Sequence, residues 1–304
     1  MPSRRHELYA YLVPRLRKAR ELVDEPTERL RVVRWHQTLD RSLPTRAVPG
    51  FSRRFSVVRE DLGSDGVAFA SYVITPRHRE PTRTVVYLHG GGYMAPIDPF
   101  QIRYATRLAR ALGARVVVPD YPLAPEHTWR DSFEQLTDLT GRWAAAPGGA
   151  VLLGDSAGGG YALALALALR DRGGPQASRL VLHSPWVDLT MSAPGTLEAG
   201  SVDPWLFLGK SRAYAAWWAG SADDLARWEV SPGLGDLRGL PPALMFYGTR
   251  DLLAPGCALL SRRAAEAGWD LTTKVEPDGI HVYPVMPGLP EARRAFRRTV
   301  DWLT

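Results

Sequence analysis

At 304 residues the chain is about twice the length of a typical domain, enough to bury a sizeable core as one large unit or two smaller ones. Hydrophobic residues at 45% and charged residues at 23% exclude global disorder, and the single cysteine, Cys257, excludes an internal disulfide framework and a Cys-rich zinc cluster. Charge is uneven: residues 1–54 hold 13 Lys+Arg against 6 Asp+Glu, a net of +7, while the rest carries a net of −1.

The chain opens on no apolar stretch long enough for a signal peptide. The longest apolar run, Tyr161 to Leu169, is far short of the ~20 residues of a membrane span, so a cytoplasmic protein without an integral membrane segment is expected. Leu8, Leu12 and Leu16 at i, i+4 spacing predict a first helix, made less regular by Pro14. Pro26 suits the first turn of a second helix running to about Leu39. The basic charge of this segment could meet nucleic acid or an anionic surface, but no nucleic-acid motif accompanies it. A solvated helix face is the expected reading.

Phe55–Leu62 and Val67–Thr75 read as an opening hairpin, with Gly63 to Gly66 as the turn. Apolar runs follow at 85–88, 116–118, 151–153, 180–182, 243–246 and 271–275, with helical stretches near 100–112, 131–146, 157–170, 256–267 and 291–303. Eight strands of this kind predict an α/β fold: a mostly parallel eight-stranded sheet covered by helices on both faces, with the antiparallel hairpin at one edge. Between Leu182 and Ala243 some sixty residues break the alternation and hold five of the ten tryptophans. They read as an inserted helical cap at about 186–230, joined by a cap segment from residues 1–50, over a catalytic domain of residues 51–304. Most of these aromatics should glue the cap to the core. Tyr93, Trp205 and Trp218 are the candidates to line a substrate pocket.

The decisive segment is Val151-Leu152-Leu153-Gly154-Asp155-Ser156-Ala157-Gly158-Gly159-Gly160, a strand running through Gly-x-Ser-x-Gly into a helix. A nucleophile on so tight a turn needs small residues two before and two after it, and Gly154 and Gly158 meet that need. The run His89-Gly90-Gly91-Gly92-Tyr93 follows another strand and lacks the lysine of a phosphate loop. Its backbone N–H groups can face a cavity, so Gly90 and Gly91, with Ala157, are the expected oxyanion donors. His89 is expected to brace this loop through backbone hydrogen bonds. Ser156 requires a base. In an α/β-hydrolase sheet the order is serine, acid, histidine, which leaves His183 and His281, and His281 follows the last strand. Asp251 ends the penultimate strand and is the expected acid, with Asp278 as its competitor.

The segments His89-Gly90-Gly91-Gly92 and Gly154-Asp155-Ser156-Ala157-Gly158-Gly159, with Asp120-Tyr121-Pro122-Leu123-Ala124-Pro125-Glu126, resemble the hormone-sensitive-lipase-like family of α/β-hydrolase esterases, and its bacterial acetyl-hydrolase members in particular. The resemblance spans roughly residues 50–304. It implies ester hydrolysis by Ser156, Asp251 and His281 through a seryl acyl-enzyme, acting on short acyl groups, acetyl among them, of a small-molecule ester, with neither cofactor nor metal. An amidase acting on N-acyl compounds with the same residues is the alternative, and a non-catalytic small-ligand receptor a further one. No nucleic-acid partner is expected, and homodimerisation is left open.

Overall fold

The computed structural model describes residues 2–17, 19–63 and 67–304. In chain order, α1 (Arg4–Leu16), α2 (Glu25–His36) and the short α3 (Phe51–Arg54) precede β1 (Phe55–Leu62), β2 (Phe69–Pro76) and β3 (Arg83–Leu88). Helices and strands then alternate through α4 (Pro99–Leu112), β4 (Ala114–Pro119), α5 (Phe133–Ala145), β5 (Ala150–Asp155), α6 (Ala157–Asp171) and β6 (Arg179–His183). The insert contributes α7 (Thr196–Val202) and α8 (Leu208–Ala219), and β7 (Ala243–Arg250), α9 (Ala254–Ala267), β8 (Leu271–Ile280) and α10 (Pro290–Leu303) complete the order. Ser64–Gly66 of the expected hairpin turn lie outside the described residues.

The strands form one eight-stranded sheet in the order β1-β2-β4-β3-β5-β6-β7-β8. β1 pairs antiparallel with β2, and β2 with β4; from β4 to β8 every pairing is parallel. The period-2 alternation of each apolar strand divides its side chains between two cores. Val86, Leu88, Leu152 and Leu180 point to one, shared with Leu136 of α5, Leu163 of α6 and Leu260 of α9. Val85, Tyr87, Leu153 and Val181 point to the other, with Ile102 and Leu108 of α4 and Phe296 of α10. Both faces are therefore covered, which is why these strands carry almost no polar residue.

Local sequence sets the helix ends. Asp98 and Gln101 form a reciprocal capping box at the start of α4, and Gly113 ends it in the left-handed region. Asp24 caps α2 by accepting the Thr27 N–H, with Pro26 in the first turn. α6 is apolar all round and buried from Ala157 to Leu169, as a helix enclosed between the sheet and α5 must be.

Two sequence expectations are revised. The Leu8, Leu12 and Leu16 stripe of α1 does not face the core; all three are exposed. The face that meets the domain is His6, Ala10 and Val13. Small side chains let α1 approach closely enough for the His6 ring to accept the Ile280 N–H, for Ser3 to donate to Glu291 and for Tyr9 to donate to the Pro287 carbonyl. Pro14 sits in the last turn without ending the helix. Second, Tyr93 and Trp218 do not line a pocket. Their rings stack at 4.3 Å and 5°, both almost wholly buried, and Tyr121 and Tyr161 meet Trp218 edge-on. Trp218 is a large apolar ring anchoring α8 to the main body, where burial outweighs any gain from exposing it to substrate.

The N-terminal segment and the insert touch one another. Trp217 donates its indole N–H to Glu25, and Tyr214 donates its hydroxyl to Glu28. Removing the ring that seats α8 leaves a void in this aromatic cluster. Trp218→Ala is expected to lower stability by about 3–5 kcal/mol, read as a reduced denaturant midpoint with an unchanged transition slope.

Candidate active site

Ser156 stands alone between β5 and α6, with φ 54° and ψ −124°, a backbone conformation that side chains rarely adopt. Neighbouring glycines make the turn feasible. A Cβ at Gly154 would lie 2.2 Å from the Gly158 carbonyl oxygen, and one at Gly158 would lie 2.1 Å from that of Leu88. The serine is further tied by its N–H to the His183 carbonyl and by its carbonyl to the Trp186 N–H.

His281 follows β8 directly and Asp251 follows β7, so the two neighbouring strand ends deliver both side chains to the same rim. His281 Nε2 lies 2.9 Å from Ser156 Oγ, and its Nδ1 lies 2.9 and 3.0 Å from the Asp251 carboxylate oxygens. All three are buried. Burial alone would lower the histidine pKa. The charge and hydrogen bond of Asp251, helped by the more distant charges of Asp203 and Asp155, outweigh it, and the pKa is raised above the ordinary 6.5. Asp251 also accepts the Leu253 N–H at 2.9 Å. The competitors stand elsewhere. Asp278 is exposed, and the His183 ring turns to the Tyr104 hydroxyl at 2.8 Å, its pKa driven down to about 3 by burial.

The glycine loop after β3 departs from expectation at one position. The Gly90 N–H donates to Asp155 Oδ1 at 3.2 Å, so it is spent inside the protein. Gly91 and Gly92 follow with φ 128° and 64° and border the cavity. Ala157 is the first residue of α6, where a helix N–H has no intrahelical acceptor. His89 braces the loop as expected: its Nδ1 lies 2.8 Å from the Gly90 carbonyl and its ring stacks on Tyr121 at 4.4 Å. The stacked Tyr121 donates its hydroxyl to the His89 carbonyl.

Sequence reasoning passed over two buried carboxylates. Asp155 also accepts from Tyr87 and Gln101, and burial pushes it up to about 6. Its place inside the Gly-x-Ser-x-Gly run was the available signal. Asp203 accepts the N–H groups of Trp205, Leu206 and Leu252, and burial followed by the charge of Asp251 raises its pKa. No motif marks it, because its partners lie on both sides of the insert.

Ser156 and His281 open on a cavity of about 490 Å³, walled by Trp186, Trp205, Leu206, Phe207 and Leu253, with Arg17, Arg20, Arg31 and Lys210 also on its lining. Trp205, alone of the three aromatics expected there, takes that position, its ring 5.7 Å from that of His281.

A serine turned out at the end of a central parallel strand in this strand order defines an α/β-hydrolase. The family model described as the α/β hydrolase fold matches residues 85–285. An acetyl-hydrolase of Streptomyces hygroscopicus is 30% identical over 296 residues, covering 93% of this chain and 94% of that protein. Carboxylesterase NlhH of Mycobacterium tuberculosis is 32% identical, covering 71% and 72%. The solved structure of an esterase from the bacterial hormone-sensitive lipase family matches with a TM-score of 0.78 at 28% identity, covering 100% of this chain and 98% of that one. The chain belongs to this hormone-sensitive-lipase-like family of α/β-hydrolases, enzymes of the carboxylic ester hydrolase class. Among the described residues no helix is long and apolar enough to cross a membrane.

The elbow geometry carries its own test. Gly158→Ala places a methyl group against two backbone carbonyls that cannot withdraw singly. It is expected to cost several kcal/mol, about 3 or more, or to abolish folding, whereas Gly173→Ala, on an exposed turn with open space around it, is expected to cost about 1 kcal/mol from its φ of 68°. Thermal melts of the two variants compare them.

Proposed function

We propose that this enzyme is a serine carboxylesterase that hydrolyses short-chain acyl esters, acetyl esters among them, through a seryl acyl-enzyme. The observation that carries the reading is the buried chain of contacts from Ser156 Oγ to His281 Nε2 and from His281 Nδ1 to Asp251, each near 2.9 Å. Ser156 attacks the ester carbonyl as His281 removes the hydroxyl proton. The carbonyl oxygen takes up negative charge facing Gly91, Gly92 and Ala157, where each N–H donor can supply roughly 3–4 kcal/mol of barrier reduction. The imidazolium then protonates the departing alcohol. A water molecule, activated by the same imidazole, releases the acid and restores the serine. Asp251 holds the ring and stabilises its cation throughout.

The acyl preference is supported by the aromatic residues that wall the cavity at Ser156 and by the acetyl-hydrolase name of the Streptomyces relative. The N-terminal segment and the insert, meeting at Glu25–Trp217 and Glu28–Tyr214, form the cap over the catalytic domain in this reading.

Turnover of p-nitrophenyl acetate and its longer homologues by the purified protein is the direct test. Ser156→Ala is expected to lower kcat by at least about 10⁴-fold with its fold intact by circular dichroism; equal rates in both proteins would overturn the reading. The pH profile provides a second check. His281 must be neutral to accept the proton, and its pKa is raised, so kcat/KM for the wild type should rise with pH through a midpoint above 6.5. Asp251→Asn removes the charge that raises it, so that midpoint should move to lower pH together with a large loss of rate.

A further inference from the structure

We propose that the mouth of the cavity selects esters whose alcohol portion carries a carboxylate or another anion. The inference rests on the reading of Ser156 as nucleophile with a short acyl group lodged beside it, which leaves the alcohol portion extending toward solvent.

The mouth has more positive charge than the structure neutralises. Four cations border the cavity: Arg17, Arg20, Arg31 and Lys210. Arg17 pairs with Asp98. Arg31 and Lys210 share one carboxylate, that of Glu28, at 2.7 and 3.3 Å. Among the described residues Arg20 has no ion-pair partner. With Asp155 also on the lining, three carboxylates, Asp98, Asp155 and Glu28, thus meet four cations, a surplus of one positive charge at the cavity.

Glu28 is also a fixed counter-charge. The hydrogen bonds from Arg31 come first in holding its pKa down to about 2, with Tyr214 and Lys210 assisting against burial. It holds Arg31 through Nε and Nη2, and neither of these bonds uses Nη1.

Position favours the alcohol side. Arg17 and Arg31 side chains are 48% and 43% exposed, and Lys210 is 16% exposed, whereas Ser156 is 9% exposed. The same cavity is lined by the apolar side chains of Trp186, Leu253 and Phe207, which offer an anion nothing. An anionic group that enters with its ester meets the cations at the rim and leaves with the alcohol.

The test compares two acetyl esters of near-identical shape, 4-acetoxybenzoate and the neutral 4-acetoxybenzamide. Each kcat/KM is divided by that ester's own rate with hydroxide, and the readout is the ratio of the anionic value to the neutral one at low ionic strength. The wild type is expected to give a ratio of about five to ten, the scale of one or two partly exposed charge contacts. Arg20→Glu and Lys210→Gln should each lower it, Arg20→Glu the more because it reverses a charge. A ratio at or below one in the wild type, or one that neither substitution lowers, overturns the inference while leaving Ser156 chemistry intact. Turnover of neither ester by the wild type would instead overturn the reading of Ser156, and this inference with it.

Discussion

The structure depends on a close crossing of backbones. α6 enters so near the loop after β3 that a single Cβ at Gly158 would strike the Leu88 and His89 carbonyls. The same crowding recurs at Gly160, where a Cβ would lie 2.0 Å from the Trp186 carbonyl oxygen. With those positions reduced to hydrogen, the first turn of α6, the glycine loop and the segment after β6 pack as one body. Ser156 is forced to positive φ at its centre, a strain of order 1–3 kcal/mol. Burial of α6 along almost its whole length outweighs that strain, since each fully buried leucine contributes about 1.5–3 kcal/mol. Ser156 and the neighbouring backbone of the glycine loop thus have a fixed separation.

Asp155 extends this rigidity. Its carboxylate collects the Tyr87 hydroxyl, the Gln101 amide and the Gly90 N–H, tying β5 to β3 and α4 beneath the glycine loop. The Gly90 N–H is thereby engaged within the protein, and the next two glycines border the same cavity at positive φ. Spacing alone cannot distinguish these glycines. The distinction comes from a carboxylate sixty-five residues later in the chain.

Much of the architecture was legible because short-range chemistry dictates it. Valine-rich runs alternating with capped helices give the parallel sheet and its two covering layers. The Gly-x-Ser-x-Gly run shows its purpose because steric demand and residue size can be compared directly. Legibility failed where tertiary contact overrides local pattern. The leucine stripe on α1 has the spacing of a buried face, yet the domain takes the side with His6, Ala10 and Val13 because His6 can satisfy the Ile280 N–H. Tyr93 and Trp218 are aromatic residues near the site in sequence logic, but they satisfy one another by stacking. The helix α8 is legible only as part of an insert, since its polar partners, Glu25 and Glu28, come from the far end of the chain.

Asp203 shows how the insert reaches the chemistry. Two carboxylates, Asp251 and Asp203, act on one imidazole, and a low-dielectric site does not favour both charges equally. Asp251 has the contact with His281 and the Leu253 N–H; Asp203 has three backbone N–H donors and, among the described residues, no cation in contact. Burial, with the charge of Asp251, raises the pKa of Asp203. Its three donors are not arbitrary: Trp205 and Leu206 belong to the cavity wall, and Leu252 is the residue after Asp251. One side chain therefore clamps the wall of the pocket to the turn that presents the acid. The insert and His281 are therefore linked through this carboxylate, which holds Trp205, Leu206 and Leu252 together beside the imidazole whose pKa its charge helps to raise.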